Sequence, residues 1–101
     1  MDVQTLLAES KARFNHNSAK LYLTEKYNAK LIVADQGGLW RADSQTITLL
    51  SASANEQMIL LDTFGNPVKV YRSDLLDLLG RTYAKVMTEW HQEWQELETK
   101  R

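Results

Sequence analysis

The chain has 101 residues, 44% of them hydrophobic and 25% charged, the balance of one folded domain rather than of a disordered segment. Lys and Arg number 12 against 13 Asp and Glu, a formal net charge of −1, so no basic excess exists to drive non-specific nucleic-acid binding. Cysteine is absent, which excludes disulfide frameworks, zinc fingers, iron–sulfur clusters and thiol catalysis and makes a reducing, cytoplasmic compartment the expected one.

The longest nearly apolar runs, Leu31–Ala34 and Met58–Leu61, fall far short of the ~20 residues that span a bilayer. The chain opens without a basic stretch followed by an apolar block, so neither a signal peptide nor a membrane contact is expected. Ser51–Asn55 is the nearest thing to a linker and is too short to separate domains. Residues 1–101 therefore read as a single domain.

The first predicted element is a helix from Val3 to about Tyr27, free of Gly and Pro. Val3, Leu7, Phe14 and Leu21 form one stripe, and Ala19, Leu23 and Tyr27 form a neighbouring one. Asn15–Ser18 interrupts the pattern, so one bent helix or two would fit, with Ser18 as the second cap. Lys30 to Asp35 then alternates as a strand. Gly37–Gly38 before Leu39–Trp40–Arg41 signals a tight hairpin, because both glycines tolerate positive φ. Asp43 to Ala54 is ambiguous. Asp43 can cap a helix that places Ile47, Leu50 and Ala54 on one face, whereas Thr46–Leu49 alternates like a strand. The short helix is the reading adopted.

Gln57–Leu61 and Val68–Arg72 predict a second hairpin around Asp62–Pro67, with Pro67 at a strand start or an edge. The last element is a long helix capped by Ser73, with Asp74 and Asp77 in its first turn and Lys100 and Arg101 at its end. Its apolar stripe is Leu76, Leu79, Tyr83, Val86, Met87, Trp90, Trp94 and Leu97. Gly80 within it suggests a close contact with another element. The class is α+β: a small antiparallel sheet of two hairpins, an N-terminal helix and a long C-terminal amphipathic helix.

That C-terminal helix spans roughly 40 Å, whereas a compact chain of this size has a radius of gyration of about 13 Å. Its far end carries Trp90, Trp94 and Leu97. Either the N-terminal helix covers them, or they meet a partner or a second copy of the chain, since Trp is a favoured interface anchor. Phe64, at the tip of the second hairpin, either tucks back on the sheet, the reading preferred, or is a further contact candidate. Trp40, Arg41, Lys69, Tyr71 and Arg72 form a basic–aromatic set that would suit stacked bases and phosphates if they shared a face.

Chemistry finds little support. His16 and His91 are the only histidines and have no metal-ligand spacing, so no metal and no cofactor is expected. Asp35, Asp43 and Asp62 sit at turn and cap signals, which account for them without catalysis. No nucleophile elbow or phosphate loop is present, and Glu89, Glu93, Glu96 and Glu98 read as a solvated face.

Two stretches carry a resemblance. They are Ala29–Val33 leading to Gly37–Trp40, and Leu61–Val70 followed by the helix with Val86, Met87, Trp90 and Trp94. Together they resemble small virion-associated or assembly proteins of contractile-tailed, myovirus-type bacteriophages. The resemblance implies a bacterial cytoplasm, possible virion association and a protein partner, either a phage assembly component or a host factor. The expected function is a non-enzymatic protein-binding factor, an assembly chaperone or small adaptor acting through the aromatic helix. The competing readings are an inhibitor of a host protein and a nucleic-acid-binding module.

Overall fold

The computed structural model describes the backbone of residues 3–99 and the side-chain surroundings of residues 16–99. Helix α1 runs unbroken over Val3–Lys30. Asn15–Ser18 does not divide it, because Asn, His and Ser each cost only a few tenths of a kcal/mol in a helix. The residues of α1 facing the core are Leu23 and Tyr27, continued by Leu31 just past the helix end, while Leu21 is turned to solvent. Val3, Leu7 and Phe14 of the predicted stripe lie outside the described side chains, as Lys100 and Arg101 lie outside the described residues.

Strands β1 (Ile32–Asp35) and β2 (Gly38–Arg41) form the first hairpin, with Asp35 opposite Gly38. The turn is Gln36–Gly37, with φ of 50° and 79°, one residue earlier than the glycine pair suggests. Gly38 serves close approach instead. A Cβ there would stand 2.5 Å from Trp40 Cζ2. The Trp40 ring is buried, and its Nε1 donates to Asp35 O at 2.7 Å.

Helix α2 covers Ser44–Ala52, and Asp43 Oδ1 accepts from Thr46 N at 2.8 Å as its cap. That bond settles the helix over the strand. Leu50 is fully buried and Ile47 packs against the core, while Ala54 falls beyond the helix end.

Strands β3 (Gln57–Leu61) and β4 (Pro67–Tyr71) form the second hairpin. Asp62 organises its turn by accepting from Phe64 N at 2.9 Å and Asn66 N at 3.0 Å. Those backbone donors, Asn66 foremost, hold its carboxyl below the ordinary value of 3.8. The hairpins do not merge into one four-stranded sheet. They stay as two two-stranded sheets, touching where Thr63 N donates to Leu39 O at 2.9 Å.

Helix α3, Arg72–Thr99, follows β4 without a loop. Ser73 is not the accepting cap that local pattern suggests. It donates from Oγ to Glu56 Oε2 at 2.7 Å and from its N–H to Glu56 Oε1 at 3.1 Å. Glu56 thus closes the helix start from the residue before β3, and these bonds hold its carboxyl below 4.5. Leu75, Leu79 and Val86 are the buried residues of α3. Leu75 belongs to the core that the predicted stripe omitted. A Cβ on Gly80 would meet nothing within 4 Å, so that glycine makes no close approach.

The molecule is elongated, 65 × 24 × 20 Å, with a radius of gyration of 19.3 Å. A compact chain of this length would measure about 13 Å. Helix α3 does overhang the hairpins, and α1 runs antiparallel along the overhang. Lys30–Glu89 (3.6 Å), Lys26–Glu93 (2.7 Å) and Lys20–Glu98 (3.3 Å) mark that pairing.

Candidate functional site

The aromatic end of α3 divides into two environments. Trp90 stacks on Tyr27 of α1, with ring centroids 5.8 Å apart and planes 12° from parallel, and it packs against the core together with Leu97. Trp94 is 41% exposed and, among the described residues, stacks on His91 of its own helix at 6.2 Å. A step of four residues advances a helix by about 40°, enough to move a side chain from the seam to its shoulder. Of the predicted contact residues on α3, Trp90 and Leu97 are therefore taken up within the chain, and Trp94 is partly free.

A polar cluster locks the same seam. Glu93 Oε1 accepts from Lys26 Nζ at 2.7 Å and from the Tyr27 hydroxyl at 2.5 Å. The Lys26 ammonium, then the Tyr27 hydroxyl, holds the Glu93 carboxyl below its usual range. The same hydrogen bonds raise Lys26 and Tyr27 above theirs. Lys26 and Lys30 also lie over the Tyr27 ring, at 5.2 and 4.9 Å from its centroid. These partners satisfy one another, so the cluster fastens α1 to α3.

The basic–aromatic set is not brought onto one face. Trp40 is buried at 2% exposure and cannot offer its ring to a base. Arg41 is held by Asn28 Oδ1 at 2.8 Å and Asp43 at 3.4 Å. Arg72 donates from Nη1 to Leu50 O at 3.1 Å. Only Lys69 and Tyr71 remain together, on the outward face of β4.

A clustered exposed apolar surface lies elsewhere, on the second hairpin. Its inward side chains, Met58, Leu60, Val68 and Val70, pack on the core. Its outward face carries Ile59 at 62% exposure and Leu61 at 65%, with Pro67 and Lys69 opposite them. Phe64 at the tip is 75% exposed and not tucked back on the sheet, and Leu49 of α2 is 50% exposed beside the outward face. Between α2 and β3 runs a groove of about 520 Å³, lined by Gln45, Thr46 and Leu49 on one side and by Ile59 to Thr63 on the other. Trp40 and Arg41 close it. Sequence reasoning missed Ile59, Leu61 and Leu49. The signal was present in the unbroken apolar run Met58–Leu61, which puts large side chains on both faces of a strand covered on only one.

Among the described residues no group of three His, Cys, Asp or Glu could hold a metal ion. No helix among them is long and apolar enough to cross a membrane. His16 lies 3.4 Å from Glu98, and His91 lies against Trp94. No protein-family model matches this chain, and neither a curated protein nor a solved structure does.

Proposed function

We propose that this protein is a non-enzymatic protein-binding module whose docking surface is the second hairpin together with α2. The observation that carries this reading is the exposure of Leu49, Ile59 and Leu61 along one groove, with Phe64 exposed at the adjoining hairpin tip. Scattered exposed apolar residues are ordinary, but a clustered set beside a concave surface is a hallmark of protein contact. The aromatic helix supplies the rigid support rather than the contact, because Trp90 is already stacked on Tyr27 of α1 and both Trp90 and Leu97 pack against the core. Trp94 is left as a secondary anchor. The resemblance to small myovirus-type phage proteins makes a phage assembly component the first partner to try and a host protein the second.

A photoreactive phenylalanine analogue at Leu61, compared with the same analogue at Trp94, tests this. Extracts of infected and uninfected bacteria would be irradiated with each variant. Discrete adducts at position 61 that Ile59→Asp abolishes support the docking surface. Adducts at position 94 alone return the interface to the helix and refute the reading.

A further inference from the structure

We infer that the open edge of β3 accepts an extended apolar segment of a partner protein as an added strand. This rests on reading the hairpin and α2 as the docking surface, and it names the chemistry of the occupant.

The ladder of the hairpin shows which backbone groups are free. Arg72 N donates to Glu56 O at 2.7 Å, and Asp62 N donates to Asn66 O at 3.0 Å. Both bonds fall in the register of the β3–β4 pair, in which Met58 faces Val70 and Leu60 faces Val68. Antiparallel ladders alternate between bonded and non-bonded pairs. Met58 and Leu60 therefore turn their N–H and C=O toward β4. Gln57, Ile59 and Leu61 turn theirs away, toward the far edge. The next outward donor, Thr63 N, is taken by Leu39 O. Beyond that point β2 forms no ladder with β3.

The groove runs along this edge. Three consecutive strand residues, Ile59, Leu60 and Leu61, line it together with Asp62 and Thr63 of the turn, whereas a groove on a sheet face would be lined by alternate strand residues. Gln45, Thr46 and Leu49 of α2 stand across from Ile59 to Thr63 and leave an open slot beside the strand edge. A helix, about 10 Å across, would leave the edge donors unpaired. The two ionisable lining groups, Arg41 and Asp62, are engaged within the chain. An uncharged, apolar segment is the complement of such a slot. Because α2 walls the opposite side, a single strand enters more readily than the hairpin of a second copy, which carries its own α2.

The two edges of this hairpin are also treated differently. On β4, Pro67 and Lys69 guard the edge strand, and the Gln36 side chain closes it at Tyr71. Gln36 Oε1 accepts from Tyr71 N at 2.7 Å, and its Nε2 donates to Tyr71 O at 3.3 Å. It does so from a left-handed backbone conformation that costs about 1 kcal/mol in a residue other than glycine. β3, Gln-Met-Ile-Leu-Leu, has no proline and no charge, the devices that keep an edge from pairing. One edge is closed and the other left open.

The test uses dodecamers selected from a random peptide library against the whole chain, with the Ile59→Asp variant for counter-selection. For the tightest binder, each backbone amide is N-methylated in turn and affinity is measured by calorimetry. Strand addition predicts a period of two: methylation at alternate amides weakens binding about tenfold or more each, and the positions between tolerate it. It also predicts slowed amide exchange at Ile59 and Leu61 in the complex. Binding that Ile59→Asp abolishes but that ignores N-methylation refutes strand addition while leaving the docking surface standing. A library that yields no Ile59-dependent binder overturns both. Concentration-dependent dimerisation that protects Ile59 and Leu61 without peptide gives the edge to a second copy and overturns the choice of occupant.

Discussion

Gly38→Ala is the sharpest test of why Trp40 is structural. The added Cβ would lie 2.5 Å from Cζ2 and 2.8 Å from Cε2 of a fully buried indole. Ordinary contact begins near 3.4 Å, so ring and strand must separate by roughly 1 Å. The indole N–H sits 2.7 Å from Asp35 O, and a retreat of that size in the ring stretches the bond past the range of a hydrogen bond. Overpacking a core costs about 1–3 kcal/mol. A buried donor left unpaired adds about 1–3 kcal/mol. Replacing glycine within a strand returns about 0.5–1 kcal/mol. The expected net loss is about 2–4 kcal/mol, read from urea unfolding followed by tryptophan emission, with a visible shift in the native spectrum. Gly37→Ala is the control. Its Cβ would meet nothing, and its φ of 79° alone should cost about 1 kcal/mol with the spectrum unchanged. If Gly38→Ala loses less than Gly37→Ala, the account of Trp40 as a ring seated on a glycine is wrong.

Three further outcomes follow from the helices and their seam. Trp90→Ala should cost about 2–4 kcal/mol, because it empties a site packed on Tyr27 and the core, whereas Trp94→Ala should cost about 1 kcal/mol or less in urea unfolding. Gly80→Ala should stabilise by about 1 kcal/mol, because the position is helical and its Cβ meets nothing. Thermal stability should be flat near neutrality and fall on both sides. Glu93, Glu56 and Asp62 have folded values below 4.5, 4.5 and 3.8, so their contribution is complete above those values and is lost as pH falls through the lower folded ones. Tyr27 and Lys26 have folded values above 10.0 and 10.5, so theirs is complete below those values and is lost as pH rises through the higher folded ones. Glu93→Gln should flatten both limbs of melting temperature against pH; an unchanged alkaline limb would remove Glu93 as the group that holds Tyr27 and Lys26.

What was legible in the sequence was whatever is encoded locally. Asp43 capping α2, Pro67 opening β4 and the spacing of three and four along α3 each act within a few residues, and each reads correctly. What failed was settled at a distance. Glu56 takes over the start of α3 from 17 residues away, which makes Ser73 a donor to it. The first turn slid to Gln36–Gly37 because Gly38 is needed beneath the Trp40 ring. Trp90 and Trp94 look equivalent in one stripe, and only the line of approach of α1 separates the covered ring from the half-open one. The candidate surface was hidden for a related reason. An apolar strand such as Met58–Leu61 reads as buried on both faces, and nothing local says that a hairpin will be left without a third strand.

The elongated shape and the open edge have a common origin. The Trp90 and Leu97 end of α3 is spent on α1, so the hairpins are left to pack against the first half of α3, around Leu75 and Leu79, and against α2. An isolated two-stranded hairpin is marginal in water. The second one has a single inward row, Met58, Leu60, Val68 and Val70, to hold it in place. A third strand would satisfy the edge of β3 and cover Ile59 and Leu61 at the same time, steadying the hairpin more than the helical pair. Binding should therefore slow amide exchange beyond the contact itself, at Val68 and Val70 on β4, whose N–H groups already pair with β3. The seam at Tyr27 and Glu93 should be left unchanged. Equal slowing in hairpin and seam would mean that the fold opens as one unit, and that the hairpin is not the weaker part that an added strand completes.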